Sequence, residues 1–289
     1  MNMIRKLSIA ALLVAMAFTF AGCGGSDSNE GEADQAADKA EVKVFAAASM
    51  QSSLEELEKK YEEANPDVDI LLNCDSSGTL KTQIEEGAPC DIFFSAAQKQ
   101  MDELAEKGLV NEDTRQNVLN NQLVVITQPD SDTAVKGLES IGDAKSIALA
   151  DGSVPVGKYT RQALIKLGLL EEAEDPATIT TQQVSDALGG VEISEQGNVS
   201  KVLTAVEEGS CEVGTVYLSD TYGHENAVKI IEKVPYDVTG DIIYPIAQIN
   251  NPDATDAETE AAANVLEYFT GDDAVALYKE HLFDTDVEK

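Results

Sequence analysis

EVKVFAAASMQSSLEELEKKYEEANPDVDILLN, residues 41–73, decides the fold. Val42-Lys43-Val44-Phe45 is a short strand pattern. Met50, Leu54, Leu57 and Tyr61 then recur at intervals of 4, 3 and 4, the spacing of one helix face. Pro66 follows that helix, and 68–72 is the next apolar strand. A strand, a helix and a strand in this order make a βαβ unit, whose two strands lie parallel in one sheet.

The alternation continues outward. Leu80 and Ile84 sit on a short helix closed by Gly87, and 91–94 is a third strand. Met101, Leu104 and Leu109 mark another helix and its exit, and 123–127 is rich in β-formers. After residues 131–143 the pattern restarts with a strand over 147–150 and a helix over 158–167, closed by Gly168. Residues 171–198 are polar and read as an insertion with limited structure. Beyond them come a helix over 200–207, strands over 213–218, 228–231 and 242–249, an amphipathic helix over 261–269 and a tail helix. Two successive α/β units predict two lobes, with chain crossings near 123–127 and 234–249.

Composition narrows the function. The 289 residues carry 53 acids against 20 bases, a formal charge of −33. A nucleic-acid binder needs clustered Lys and Arg, and so does a protein docking electrostatically on anionic lipid. Two histidines and four cysteines leave little for a metal-cation site, and without Trp any sugar stacking would rest on Tyr or Phe.

Residues 1–23 read as an export leader. Arg5 and Lys6 give a basic start, and 7–20 is apolar apart from Ser8 and Thr19. That run is too short to favour a membrane-spanning helix, and the small-residue site Phe20-Ala21-Gly22-Cys23 follows it. A Cys at this place resembles a bacterial lipoprotein signal, in which Cys23 becomes the lipidated first residue; the alternative is an ordinary secretory signal. The expected location is extracytoplasmic, on the outer face of the cell membrane or in a periplasm. Residues 24–40, GGSDSNEGEADQAADKA, lack aromatic and branched aliphatic residues and read as a disordered acidic tether. At ~3.5 Å per residue it spans at most about 60 Å. Cys74, Cys90 and Cys211 are an odd set, match no zinc spacing and read as small, mostly buried residues.

Catalytic patterns are scarce. His224 and His281 stand apart from any Ser or Cys nucleophile motif, and His281 reads as a surface residue of the tail helix. Gly152-Ser-Val-Pro-Val-Gly157-Lys158-Tyr159 nearly matches a phosphate-binding loop. Tyr159 stands where a Mg²⁺-binding hydroxyl belongs, and Pro155 removes a backbone donor, so nucleotide hydrolysis is rejected. What survives is an anion near a helix start. Ser49, Ser77-Gly78-Thr79, Val156-Gly157 and Asn198-Val199 each precede a predicted helix. Helix starts carry unpaired N–H groups and partial positive charge, and in open α/β sheets they gather at one edge. Taken singly, each is equally well an ordinary cap worth about 1 kcal/mol.

At these residues the sequence resembles the molybdate-binding proteins of ABC importers, periplasmic binding proteins of type II. The matching blocks are Val44-Phe45-Ala46-Ala47-Ala48-Ser49, Ser77-Gly78-Thr79-Leu80, residues 83–96, Val154-Pro155-Val156-Gly157-Lys158-Tyr159, Gly214-Thr215-Val216-Tyr217-Leu218-Ser219-Asp220 and Tyr244-Pro245-Ile246-Ala247. They fall in the family's order over most of 41–289. The resemblance implies a two-lobed α/β fold, each lobe a mostly parallel sheet flanked by helices, with a ligand cleft between lobes. Lobe 1 would comprise 41–123 plus 237–289, and lobe 2 residues 124–236. It further implies capture of molybdate, and tungstate with it, and delivery to a membrane permease. No enzymatic activity, cofactor or bare metal cation is implied, and the protein is expected to be a monomer. Carried over by motif, Ser49 and Ser77 give hydroxyl and backbone N–H groups, Val156 and Val199 give backbone N–H groups, and Tyr217 gives its phenol. Val156 and Cys90 replace alanines common in the family, and 171–198 is longer than its counterpart.

Elementary chemistry agrees with such a donor set. Molybdate is a tetrahedral dianion with acceptor oxygens only, whereas hydrogen phosphate brings an O–H that finds no acceptor. Leaving that group unpaired costs about 1–3 kcal/mol. Cavity size must then separate molybdate from sulfate. The competing readings are a receptor for sulfate, thiosulfate or a metal-cation complex, an exported enzyme on the same lobes, and an adhesion or scaffold module with an exposed apolar patch.

Overall fold

The computed structural model describes residues 39–287. The expected leader, the lipid-anchor Cys23 and most of the expected tether therefore lie outside the described residues. Ala40, assigned to the tether from sequence, opens the first strand instead.

Two five-stranded sheets carry the fold. Strand β1 (Ala40–Ala47) leads through a 3-10 turn (Ala48–Met50) into helix α1 (Gln51–Ala64). Strand β2 (Val68–Asp75), helix α2 (Ser77–Glu85), strand β3 (Ile92–Phe94), helix α3 (Gln98–Glu106) and strand β4 (Gln116–Asn121) follow. One residue, Gln122, separates β4 from β5 (Leu123–Thr127) of the second sheet. That sheet continues with β6 (Ser146–Ala150), α4 (Pro155–Lys166), α5 (Thr181–Ala187), β7 (Glu192–Gln196), α6 (Val199–Glu207), β8 (Val213–Tyr217) and β9 (Lys229–Lys233). The chain returns through α7 (Tyr236–Thr239) to β10 (Ile242–Gln248) of the first sheet, and ends in α8 (Asp256–Phe269) and α9 (Asp272–Glu280).

The strand orders are β2-β1-β3-β10-β4 and β7-β6-β8-β5-β9. Within each sheet the outer βαβ pairs are parallel, and only the strand that carries the chain over from the other sheet, β10 or β5, runs against its neighbours. Val42, Val44, Ile92, Phe94 and Ile246 are fully buried in the first sheet, and Val124, Ile126, Ala148, Val213 and Val216 in the second. Leu54 and Leu57 of α1 and Val202 and Val206 of α6 cover them. The hinge is stitched by Leu218 N–H to Gln122 O (2.8 Å), Val234 N–H to Leu123 O (2.8 Å) and Gln122 Nε2 to Val234 O (3.1 Å).

Two segments differ from the sequence reading. Residues 171–198 are ordered: they hold a 3-10 turn (Pro176–Thr178), α5 with its Thr180/Gln183 capping box, and β7. β7 is an edge strand with exposed polar faces, so it lacks the apolar alternation that marks a half-buried strand. β4 was likewise hidden by its polar sequence, QNVLNN, although its last four residues are buried.

Arg161 organises this second region. Fully buried on α4, it donates from Nε to Ile179 O (2.7 Å), from Nη1 to Ala150 O and Gly157 O (both 2.9 Å), and from Nη2 to Thr181 Oγ1 (3.2 Å). One guanidinium thus ties α4 to the end of β6 and to the start of α5. Arg161→Met keeps the stem volume and takes the guanidinium donors from the Ala150, Gly157 and Ile179 carbonyls. It should cost about 2–4 kcal/mol in urea-unfolding free energy. An unchanged midpoint and slope would mean those carbonyls find other donors.

Candidate functional site

Four helix starts converge between the two sheets. α2 is capped by Ser76, whose Oγ accepts from Thr79 N–H (3.1 Å). That leaves the N–H groups of Ser77 and Gly78, its first two residues, without intrahelical acceptors. In α4, Val154 is the cap and Pro155 the first residue, so Val156 supplies the first free N–H of that helix. Asn198 caps α6 by accepting from Lys201 N–H (3.0 Å), and Val199 is the first helical residue. Ser49 lies within the 3-10 turn that feeds α1.

The sequence reading placed these groups just ahead of their helices; the structure puts Ser77, Val156 and Val199 in the first turns. Only an N–H inside the turn is an orphan of the helix, so the shift favours their availability. Gly157 permits the arrangement of α4: a Cβ there would sit 2.1 Å from Asp151 O and 2.5 Å from Ala150 O. The glycine of the near phosphate-loop pattern thus serves close packing of helix against strand.

Ser49, Ser77, Val156, Val199 and Tyr217 all line one small void, together with Ala47, Ala48, Ser76, Ala96, Val154 and Pro155. About 10 Å³ of it is open to the centre of a water-sized sphere. That admits one water or one small ion, and excludes sugars and peptides. Both sheets contribute to the lining, and none of the lining side chains is charged. Wider crevices of about 430 and 270 Å³ flank the void, and they carry the charges: Lys81, Lys99, Glu103, Lys158 and Asp175 on one side, Glu55, Glu207 and Asp220 on the other.

The hydroxyls of the void are poised as donors. Ser77 Oγ accepts from Ala96 N–H (2.9 Å), which leaves its own proton free. Tyr217 is 1% exposed, and its Oη has no hydrogen-bond partner among the described residues. Burial pushes its phenol well above the ordinary value, so the group stays protonated. An unpaired buried hydroxyl costs about 1–3 kcal/mol, which an acceptor in the void would recover. The Tyr217 ring meets Tyr244 edge-on, with centroids 6.0 Å apart.

The two sheets also touch around the void. Asn198 Nδ2 donates to Asp75 Oδ1 (2.9 Å), and Lys99 Nζ meets Asp175 Oδ2 at 2.5 Å. Gly78 approaches Ser153 so closely that a Cβ would lie 2.8 Å from Ser153 O. The structure is therefore that of a closed cleft.

Several residues escaped the sequence reading. Ser76 was passed over for its neighbour, although the i to i+3 spacing to Thr79 marks it as the cap. Asp220 and Tyr244 lay inside quoted motifs without an assigned part. His281 is 2% exposed rather than at the surface: it stacks on Tyr222 at 4.0 Å, and its Nδ1 pairs with Ser52 Oγ (3.1 Å). His224 pairs with Glu207 at the rim of the cleft. Cys74, Cys90 and Cys211 are free thiols. Burial pushes Cys74 up to about 12 and Cys90 higher still, which makes both poor nucleophiles. Among the described residues no group of three or more His, Cys, Asp or Glu could hold a metal ion, and no helix is long and apolar enough to cross a membrane.

The profile of the bacterial extracellular solute-binding protein family matches residues 42–284, and the chain belongs to that family. It is 31% identical over 280 residues to the molybdate-binding protein ModA of Haemophilus influenzae, covering 92% of this chain and 97% of the relative. It is 31% identical over 271 residues to ModA of Escherichia coli K12, with 91% and 96% covered. Among solved structures, the Azotobacter vinelandii periplasmic molybdate-binding protein superposes with a TM-score of 0.70 at 20% identity, over 86% of this chain and all of that one. That last likeness establishes the fold.

Asp220 gives the site a titration. Its Oδ2 accepts the Tyr217 N–H (2.8 Å), yet burial outweighs that bond and pushes its carboxyl up to about 7. A carboxyl whose folded pKa lies above its unfolded value of about 4 destabilises the fold as pH rises between the two, and the loss is complete above the folded pKa. Asp220→Asn keeps an acceptor for Tyr217 N–H and removes the titration. The variant should gain on wild type, by about 4 kcal/mol at most, as pH rises from about 4 to 8. Parallel stability-versus-pH curves from urea titrations would refute the assignment.

Proposed function

We propose that this member of the family captures molybdate, and tungstate with it, in the void between the sheets and delivers it to an ABC permease. The single observation that carries the reading is a closed, uncharged, ion-sized void lined from both sheets by donors, with the Tyr217 hydroxyl buried and unpaired inside it. Two relatives matched over nearly their whole length are named molybdate-binding proteins.

In this reading Ser49 and Ser77 each give a hydroxyl and a backbone N–H to the oxyanion. Val156 and Val199 give backbone N–H groups, and Tyr217 gives its phenol proton. The helix starts supply partial positive charge without a formal counter-ion, which is how a dianion is held with no Lys or Arg in contact. Residues 41–123 with 237–289 act as one lobe and 124–236 as the other. Since the donors come from both, ligand binds the closed arrangement better and shifts the population toward it. The protein acts as a monomeric binding protein and not as an enzyme. It works outside the cytoplasm, held to the membrane through lipidated Cys23 and the acidic segment after it.

Isothermal titration with molybdate, repeated in excess sulfate, tests the reading. One-to-one heat that survives sulfate is expected; heat abolished by sulfate would make the protein a sulfate receptor. Ser49→Ala and Ser77→Ala each remove a bond to a charged ligand, worth about 1.5–3 kcal/mol, so each should weaken binding by about 10- to 150-fold while the protein stays folded. Wild-type affinity in both variants would show that the oxyanion sits elsewhere.

A further inference from the structure

We propose that Tyr244 is a positioning residue for oxyanion selectivity: its hydroxyl, oriented by the Asn121 amide, locks Ser49 as a donor and keeps Ser49 from serving the void as an acceptor. The inference rests on the reading of the void as the oxyanion site. It concerns a fully buried tyrosine that does not line that void.

The proton directions follow from the hydrogen bonds taken in order. Gln122 N–H donates to Asn121 Oδ1 (2.9 Å). A backbone N–H can only donate, so the Asn121 oxygen faces Gln122, and its Nδ2 must face the other way. That Nδ2 donates to Tyr244 Oη (3.1 Å) and to Ser219 Oγ (2.8 Å). Tyr244 Oη is thus an acceptor toward Asn121, and its own proton needs a different partner. The remaining partner is Ser49 Oγ at 2.9 Å. Ser49 therefore accepts from Tyr244, and its proton is free for the void that it lines. Asn121 is 1% exposed, Tyr244 0% and Ser49 7%, so water does not compete for these bonds. Burial pushes the Tyr244 phenol well above its ordinary value, and the proton on which the chain of bonds depends stays in place.

Ser77 is set the same way by a group that cannot reverse, the Ala96 N–H. Ser49 differs, because a hydroxyl can turn. Without Tyr244 Oη, Ser49 could rotate and accept a proton from a ligand O–H. Tyr244 thus acts through Ser49 against oxyanions that carry a proton, and does so from outside the site.

Selenate and hydrogen arsenate test this. At pH 8 both are tetrahedral dianions of similar size, and they differ by one proton. The wild-type protein should prefer selenate. In Tyr244→Phe the ratio of the two dissociation constants should fall by about fivefold or more, the value of one newly satisfied O–H. A merely structural role would weaken both anions together and leave the ratio unchanged, which would overturn the proposal. Neutron diffraction from deuterium-exchanged wild-type crystals supplies a test that needs neither a folded variant nor a bound anion. A deuteron on Tyr244 Oη directed at Ser49 Oγ is expected; one on Ser49 Oγ directed at Tyr244 would refute the assignment. Wild-type protein that binds no oxyanion would sink the functional reading, while the deuteron would still decide the direction of this bond.

Discussion

A backbone N–H buried without an acceptor costs about 1–3 kcal/mol, and this fold gathers such groups at one place. Parallel strands all point one way, so the helix that follows each strand starts at the same edge of the sheet. With two sheets facing across a cleft, the starts of α2, α4 and α6 and the turn before α1 meet around a common void. Everything else near the void accommodates that meeting. Pro155 takes the one helix position where a missing N–H is harmless, Gly157 lets α4 seat against β6, and Arg161 ties α4 to the segment behind it. A void built this way has donors in excess and accepts an oxyanion as its natural complement.

The acidity of the chain is no obstacle to this. Charges separated by more than about 8 Å are largely screened at physiological salt, so a net charge of −33 spread over a surface says little about one closed void. What matters is the lining, and there the charges are absent. Lysines and carboxylates are confined to the flanking crevices, several of them paired with each other, as Lys81 is with Glu103. Asp220 belongs to one of those crevices, and burial holds its carboxyl partly in the neutral form near neutral pH.

The sequence was legible where local chemistry is strong. The βαβ unit over 41–73 carries apolar periodicity that no other element type explains, and the five residues carried over by motif all meet in one void. β4 and β7 were not legible, because both are edge strands of polar sequence, stabilised by ladder hydrogen bonds that leave no apolar pattern. His281 and Arg161 were missed for a different reason. Each is a polar residue at helical spacing, and only the partners brought from 229 residues away in one case and from a following segment in the other make burial affordable. Tyr244 stood in a quoted motif, but its part depends on which way Asn121 faces, and a sequence carries no hydrogen-bond direction.

Closure can now be weighed physically. Apart from the hinge, the closed cleft is held by contacts such as Asn198 to Asp75 and Lys99 to Asp175. The Lys99–Asp175 pair is about one-third exposed on both sides, and ion pairs of that kind contribute roughly 0.2–1 kcal/mol. The Asn198–Asp75 bond, made to a carboxylate, adds about 1.5–3 kcal/mol. Contacts of this size bias an open–closed equilibrium. In the proposed reading a dianion drawing several charge-assisted bonds from both sheets shifts that equilibrium toward the closed state. Release follows in that reading too: separating the lobes withdraws one sheet's donors from the dianion at once, and binding weakens.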